Sequence, residues 1–220
     1  MITAVLFDMD GILYDSEAWY MKGSIETMKE LGYTGDMQAL NKALGLTVNE
    51  MYRYFRSLLN NKVSVKRIAE VNDAYYAEHP LPPYQEIMFP HVPEVLKGLK
   101  QDGYLLACCS SSPLDTIRES LEAMGILGYF DFMESGENVK HSKPDPEIYL
   151  QAASHLKVKP SECIVYEDSR TGIESGKRAG MTVIARRDER FKQDISEADH
   201  AVNDVMEMAA MVREINTCRK

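Results

Sequence analysis

The chain begins with an apolar run that ends in two acids and a glycine. Residues 2–7 are Ile-Thr-Ala-Val-Leu-Phe, and Asp8, Met9, Asp10 and Gly11 follow directly. A mostly apolar run of this length is typical of a strand buried on both faces of a parallel sheet. In such sheets ligands bind beyond the carboxyl ends of the strands. The run therefore favours an open α/β fold with a site at Asp8 and Asp10.

Side-chain alternation gives the two aspartates a shared direction. Asp8 and Asp10 point one way and Met9 points the other, because successive strand residues face opposite sides. Carboxylates so arranged suit an enzyme that forms an acyl-phosphate on one and uses the other as general acid and base. The alternative is a strand that simply ends in a turn, since Asp and Gly are common turn residues.

A second apolar run ends in three serines. Residues 103–109, rich in Leu, Ala and Cys, predict a strand, and Ser110, Ser111, Ser112 and Pro113 follow it. Hydroxyl and backbone N–H groups at a strand end can hold a phosphoryl oxygen. Serine before proline is also a good helix N-cap. We expect Ser110 to contact a phosphoryl group, Ser111 and Ser112 to lie beside the substrate, and Ser112 to cap a helix.

A lysine held in a loop and another acidic strand end follow. Lys143 lies in a stretch where two prolines block regular structure, so we interpret it as a fixed charge facing a phosphate and the Asp8 carboxylate. Residues 163–166 predict a further strand, and Glu167 and Asp168 follow it. Hard oxygen ligands beside a phosphate suit Mg²⁺. Without a metal these acids would repel a dianionic substrate.

Together these four features resemble the motifs of the haloacid dehalogenase superfamily, in its phosphatase and β-phosphoglucomutase-like branch. They occur in family order and spacing across nearly the whole chain. The resemblance implies an α/β fold with a Rossmann-like parallel-sheet core. The segments that carry it are Asp8-Met9-Asp10-Gly11, Ser110, Ser142-Lys143-Pro144 and Glu167-Asp168-Ser169.

The resemblance also implies a role for each matched residue. Asp8 would be the nucleophile that becomes aspartyl-phosphate and a Mg²⁺ ligand. Asp10 would protonate the leaving oxygen and then activate water, with its backbone carbonyl touching the metal. Ser110 and Lys143 would hold the transferring phosphoryl group. The other implied metal ligands are Asp168 and, directly or through water, Glu167.

A helical insertion separates the first strand from the second. Four helices in so short a stretch form a small bundle and cannot be a simple crossover between parallel strands. The resemblance implies that this bundle is a helical cap, which would close over the acids and exclude water. Capping residues are expected at Asp15 or Ser16, at Thr47 with Glu50, and at Ser64. With glycine stop signals they predict helices over residues 16–31, 37–44, 51–59 and 65–77.

Two connecting segments are expected to form a hinge. One includes Gly11 and Asp15, and the other is the proline-dense return segment 79–93, a composition typical of stiff connectors. We predict a catalytic core of residues 1–15 and 84–220 and an α-helical bundle cap of residues 16–83. His91 stands where relatives commonly have glycine, and we interpret it as a surface histidine.

The cap is where the sequence bears on the substrate. In the family the loop between cap helices reaches the active site, so the resemblance implies that Leu46 and Thr47 contact the substrate. Trp19 is expected in the cap core, and Tyr20 is a candidate gate to the substrate. Sugar phosphates, phosphoglycolate and nucleoside monophosphates all remain open as substrates.

The same cap positions bear on the reaction type. β-Phosphoglucomutases carry a histidine and an arginine there for a second phosphate, and this chain has Tyr20 and Val48. We therefore favour net hydrolysis of a phosphomonoester, with a sugar phosphomutase as the alternative, since Arg53 or Lys62 could substitute. A non-catalytic phospho-ligand module is disfavoured, because every family catalytic residue is present.

Composition limits the partners. The net charge of −9 argues against nucleic acid and anionic membrane surfaces, so a small phosphorylated metabolite is the expected partner. The four cysteines have no metal or disulfide spacing and predict reduced thiols. No apolar run approaches the roughly 18 residues of a spanning helix, and no signal-peptide pattern opens the chain. We expect a cytoplasmic monomer.

Overall fold

The computed structural model describes residues 1–43, 48–190 and 193–218. The chain divides into two compact units, which we call the core unit and the inserted unit. The inserted unit is Asp15–Pro83, and the core unit is Met1–Tyr14 together with Tyr84–Lys220. These bounds lie within one residue of the expected ones. The function of the inserted unit as a cap stays a prediction.

The core unit is built on a parallel sheet. Among the described residues the sheet has six strands in the order β3-β2-β1-β4-β5-β6, and every neighbouring pair is parallel. The expected α/β fold with a Rossmann-like parallel core is confirmed. The strands are β1 Ala4–Phe7, β2 Leu105–Ser110, β3 Phe132–Ser135, β4 Cys163–Glu167, β5 Thr182–Arg186 and β6 His200–Val202.

Helices account for the inserted unit and for the crossovers of the core unit. The first three helices belong to the inserted unit and the others to the core unit. In chain order they are α1 Ser16–Glu30, α2 Val48–Leu58, α3 Val65–Glu78, α4 Tyr84–Ile87, α5 Val92–Gln101, α6 Leu114–Ala123, α7 Glu147–His155, α8 Arg170–Arg178 and α9 Val205–Cys218. Short 3₁₀ helices lie at Met37–Ala43, Leu127–Tyr129, Gly136–Asn138 and Pro160–Glu162.

Both faces of the sheet are buried, which explains the continuous apolar runs. In β1, Val5 and Phe7 belong to one hydrophobic cluster, and Leu6 belongs to the cluster on the opposite face. Cys108 and Cys109 divide in the same way, because adjacent residues of a strand face opposite sides of the sheet. A parallel sheet covered by helices on both faces requires apolar residues at successive positions rather than at alternate ones.

The inserted unit has an apolar core of its own, in which Phe55 and Ile68 are fully buried. Trp19 is buried as expected. The expected caps of α1 and α3 are confirmed, because Asp15 accepts from Ala18 N and Ser64 accepts from Arg67 N. Residues 37–43 form a 3₁₀ helix rather than the expected α-helix. The predicted capping residue Thr47 lies outside the described residues.

Helix α5 was not predicted from the sequence, because we interpreted the prolines around it only as connectors. Pro93 lies in the first turn of this helix. A proline there loses no hydrogen bond, since the first N–H groups of a helix have no partner within it. His91, exposed at the N-cap, has a left-handed backbone with φ of 67°.

Within the described ranges we find no helix that combines the length and apolar character needed to cross a bilayer.

Candidate active site

The acidic residues meet at the carboxyl edge of the sheet, beside its central strand. β1 lies between β2 and β4, and Phe7 is in register with Cys108 and Tyr166. Asp8 follows β1, and Glu167 is the last residue of β4. The strand order runs outward in both directions from β1 and β4, and ligands of open α/β sheets bind at such a switch point.

Lys143 lies between two carboxylates at this edge. Its Nζ donates to Asp8 Oδ1 at 2.5 Å, to Glu167 Oε1 at 2.8 Å and to the carbonyl oxygen of Cys109 at 3.1 Å. Only 6% of the lysine side chain is exposed. A buried ammonium with these three acceptors is a fixed charge.

Glu167 is held by the protein through both of its oxygens. Besides Lys143, Oε1 accepts from the hydroxyl of Tyr149 at 3.2 Å. Oε2 accepts from the N–H groups of Asp168 and Ser169, each at 2.9 Å, and from the Ser169 hydroxyl at 3.0 Å. The carboxylate therefore orients the lysine and also fixes Asp168 and Ser169, the two residues before α8.

Three carboxylates at the site could hold a cation. Asp8, Glu167 and Asp168 each offer an oxygen, and these three oxygens lie within 4.8 Å of one another. The side chain of Asp10 is not among these three carboxylates, and the contact of its backbone carbonyl with a metal stays a prediction. A small set of oxygen donors, with room for water and a phosphate as further ligands, is the kind that Mg²⁺ takes in proteins. The residues present fit Mg²⁺.

Burial of several acids together shifts their pKa values. For Asp8, burial raises the pKa of the carboxyl to about 7, against the lowering effect of Lys143. Burial also raises the pKa of Asp168 well above its usual value, and the charges of Glu167 and Asp8 add to this, while Arg186 opposes it. Burial works in the same direction on Glu167, but Lys143 outweighs it and lowers that pKa. The site carries more negative charge than one lysine balances.

The side chain of Asp10 contacts the turn that follows it. Its Oδ1 accepts from the Tyr14 hydroxyl at 2.8 Å, whereas Met9 is buried in the apolar core. Gly11 has a φ of 72°, and a Cβ there would lie 2.1 Å from Asp168 Oδ2. Position 11 therefore requires glycine, because a side chain there would clash with Asp168.

For the serines at the end of β2, the structure corrects only the predicted helix cap, and their contacts with a substrate stay predictions. Ser110 is buried, and its Oγ accepts from Ser112 N at 3.1 Å, while Ser111 is exposed. The prediction that Ser112 caps α6 is wrong, because Pro113 is the N-cap and makes no side-chain cap bond. Glu137, in the 3₁₀ helix that follows β3, takes that function, because its Oε2 accepts from Leu114 N at 3.1 Å.

The inserted unit contains a pocket of about 500 Å³ that Tyr20 lines. Tyr20 is 54% exposed. The described lining residues include hydroxyl and amide groups and one acid but no Lys, Arg or His. Arg53 and Lys62 are exposed and are not among them. Leu46 and Thr47 lie outside the described residues. The other lining residues are Glu17, Met21, Ser24, Ala43, Val48, Met51, Tyr52, Asn72 and Tyr76.

Two residues near the site were missed from the sequence, Tyr149 and Arg186. Tyr149 lies in α7 with its ring centroid 5.0 Å from Lys143 Nζ, and its hydroxyl reaches Glu167. Arg186 ends β5 and donates to the carbonyl oxygen of Gly11. Arg186 could have been found from the sequence, because it lies at a strand end, as Asp8 and Ser110 do. Tyr149 sits in an apolar helix face and gave no such signal.

Comparison with known proteins agrees with this geometry. A phosphorylated carbohydrates phosphatase of Thermotoga maritima is 34% identical over 184 residues, which cover 81% of this chain and 82% of the relative. Hexitol phosphatase B of Escherichia coli (strain K12) is 32% identical over 205 residues, with 86% and 88% covered. The solved structure of a putative β-phosphoglucomutase from Thermotoga maritima has a TM-score of 0.76 and 28% identity, with 97% and 100% covered.

The match to a family model agrees with these relatives and spans most of the chain, including each acid and the lysine described above. Residues 5–186 match the model of haloacid dehalogenase-like hydrolases. The resemblance inferred from the motifs is thereby confirmed, and so is the expectation of an enzyme of this type. The chain belongs to the haloacid dehalogenase-like hydrolase family.

Proposed function

We propose that the protein is a Mg²⁺-dependent phosphatase that hydrolyses a small phosphomonoester, such as a sugar phosphate, through an aspartyl-phosphate on Asp8. The observation that carries this proposal is the contact of Lys143 with Asp8 and Glu167 at the end of the central strand. A carboxylate held by a cation at a strand end, beside further acids, suits nucleophilic attack on phosphorus.

The first half of the reaction transfers the phosphoryl group to the protein. A carboxylate oxygen of Asp8 forms a bond to phosphorus as the bond from phosphorus to the ester oxygen breaks. Asp10 gives its proton to that oxygen, which leaves as an alcohol. General acid catalysis of this kind contributes about 10²- to 10⁴-fold to the rate.

The second half returns Asp8 to its starting state. Asp10, now ionised, takes a proton from water, and the water oxygen attacks phosphorus. The bond from phosphorus to Asp8 breaks, so that inorganic phosphate and a free carboxylate result. The net change is one phosphomonoester and one water converted to one alcohol and one phosphate.

Charge neutralisation would come from both sides of the transferring group. Lys143 and the hydroxyl of Ser110 would hold its oxygens, with Ser111 and Ser112 beside it. Asp8, Glu167, Asp168 and the backbone carbonyl of Asp10 would hold Mg²⁺, which when bound offsets phosphate charge as a Lewis acid. Phosphoryl transfer depends on positioning and charge stabilisation more than on other chemistry.

The inserted unit bears on the choice between a hydrolase and a mutase. A mutase must bind a sugar bisphosphate at both ends, and a distal phosphate requires cationic donors. The described lining of the pocket offers none, while its hydroxyl and amide groups suit an uncharged polyol. We infer that the inserted unit acts as a cap that takes the unphosphorylated end of the substrate, with Tyr20 at its entrance and Leu46 and Thr47 in contact. The named carbohydrate and hexitol phosphatases among the relatives support a sugar phosphate or hexitol phosphate.

A phosphate-release screen tests this function. Phosphorylated metabolites, including hexose and hexitol phosphates, phosphoglycolate and nucleoside monophosphates, are incubated with the protein in Mg²⁺ or in EDTA. We expect release from sugar or hexitol phosphates that needs Mg²⁺ and is absent in Asp8→Asn. Release that Asp8→Asn retains would rule out the mechanism.

A coupled assay separates the mutase alternative. The protein is given β-glucose 1-phosphate with the corresponding bisphosphate, and glucose 6-phosphate and inorganic phosphate are both measured. We expect inorganic phosphate to form faster. Faster formation of glucose 6-phosphate would establish the mutase instead.

A further inference from the structure

Arg186 contacts both chain segments that join the two units. Its Nη1 donates to the carbonyl oxygen of Gly11 at 3.1 Å, and its guanidinium carbon lies 4.0 Å from the ring centroid of Phe89. Gly11 belongs to the segment that leaves the core unit, and Phe89 belongs to the segment that returns to it. All three residues lie in the core unit. One side chain therefore fixes both segments at the same point.

The two segments also contact each other there. Phe89 N donates to the Leu13 carbonyl oxygen at 3.0 Å, and within the outgoing segment Gly11 N donates to the Tyr14 carbonyl oxygen at 3.0 Å. Tyr14 forms an isolated antiparallel bridge with Met88. The Tyr14 hydroxyl also donates to Asp10, so the second aspartate is hydrogen-bonded to a residue at this crossing of segments.

The surroundings of Arg186 select arginine. Its side chain is only 12% exposed, and Asp188 accepts from its Nη1 at 3.1 Å. A planar guanidinium can stack on an aromatic ring and donate in its own plane at the same time, which an ammonium cannot do. The next residue, Arg187, is exposed, so a substitution of Arg187 is a matched control for the same substitution of Arg186.

We propose that Arg186 is a positioning residue that fixes the Gly11 backbone and so holds Asp10 in place for proton transfer. This inference rests on the proposed function. Gly11 follows Asp10 directly and also lies against Asp168, so a shift of its peptide moves the general acid relative to the nucleophile. Loss of a support of this kind leaves the reacting groups present but loosely held, and misplacement of about 1 Å can lower the rate by roughly 100-fold.

The test compares two leaving groups. An alkoxide is a poor leaving group, so general acid catalysis matters for the phosphate ester of an alcohol. p-Nitrophenolate is a stable anion, so protonation matters little when it leaves. We measure kcat/KM of Arg186→Met, Arg186→Lys and Arg187→Met on the best sugar or alkyl phosphate of the screen and on p-nitrophenyl phosphate. The parameter kcat/KM reports the steps up to and including departure of the leaving group.

We expect Arg186→Met to lose roughly 10- to 100-fold in kcat/KM on the alcohol phosphate and far less on p-nitrophenyl phosphate. Arg186→Lys should recover part of the loss, and Arg187→Met should equal the wild type on both substrates. An unchanged Arg186→Met, or an equal loss on both substrates, would overturn the inference, because a general disturbance of the site affects both leaving groups alike.

Folding is checked on the same samples by urea unfolding. If Arg186→Met is unfolded, Arg186→Lys becomes the deciding variant, and equal activity losses on both substrates again contradict the positioning role. A wild type that releases phosphate from neither substrate would instead contradict the proposed function, so the two failures are distinguishable.

Discussion

At the scale of single residues, the site depends on one buried ammonium between buried acids. Lys143 has a pKa well above its usual value, since the charges of Asp8 and Glu167 outweigh the lowering effect of burial. An ion pair of this kind adds little to stability as a pair. Removing one partner is costly, because it leaves a charge buried without compensation.

We predict that Lys143→Met lowers the free energy of unfolding by about 3–5 kcal/mol in EDTA and abolishes phosphate release. Urea unfolding measures the first effect. Lys177→Met is the matched control, because Lys177 pairs with Asp199 at a partly exposed position and should cost less than about 1 kcal/mol. Equal losses of unfolding free energy in the two variants would show that Lys143 does not compensate the charge of the buried acids.

The residues that the sequence could predict are those at strand ends. Asp8, Ser110, Glu167 and Asp168 could be located because each ends or follows an apolar run, and carboxyl ends of parallel strands share one edge. The residues that pack against these side chains could not be predicted. Gly172 is an example, since a Cβ there would lie 1.6 Å from Glu167 Oε1, a contact that only the packed structure reveals.

At the scale of elements, helix starts depend on backbone conformation as much as on capping side chains. α5 begins after His91, which has a left-handed backbone and makes no side-chain cap bond. A residue with a Cβ is strained there by roughly 1 kcal/mol, whereas glycine is not. The sequence indicated this position as unusual, but it did not indicate the helix that follows.

We predict that His91→Gly stabilises the protein by roughly 0.5–1 kcal/mol, because the left-handed conformation favours glycine by about this much after its greater flexibility in the unfolded chain is counted. The measurement is the free energy of unfolding in urea. His91→Ala retains the Cβ and should bring no gain. A gain of the same size in both variants would mean that the imidazole, and not the backbone, is the source of strain.

Elements were predictable where a period or a cap dominates the local sequence, as in α1 and α3. They were missed where a residue type has two uses. Proline is both a breaker and a favoured first-turn residue, so residues 79–93 were interpreted as a connector, although α4 lies within them and α5 begins at Val92. Serine before proline misled in the same way at Ser112, because a distant glutamate supplies the cap.

At the scale of the whole molecule, we expect the acidic site to couple metal binding to folding. Asp8 has a pKa of about 7 in the folded protein against 3.8 as its ordinary value. The folded state therefore binds a proton more tightly than the unfolded state between these pH values. Stability from this group is present at low pH and is lost as pH rises towards 7. A divalent cation held by the proposed site would bind the ionised form and offset the loss.

We predict that Mg²⁺ raises the melting temperature more at pH 8 than at pH 5. At pH 8 and a hundredfold excess over Kd, the gain is about 2.7 kcal/mol, or roughly 5–10 °C. Thermal unfolding with Mg²⁺ and with EDTA measures it, and NaCl of equal ionic strength is the control for screening. A shift that is equal at both pH values, or that NaCl reproduces, contradicts a carboxylate metal site.

The central claim is that Asp8 becomes phosphorylated during turnover. It is tested most directly by mixing the protein with substrate labelled in its phosphoryl group, quenching in acid within one turnover, and mapping the labelled peptide. We predict label on the peptide that contains Asp8, its disappearance on a chase with unlabelled substrate, and no label in Asp8→Asn. Turnover of substrate with no protein-bound label, or with label on another peptide, would contradict the account.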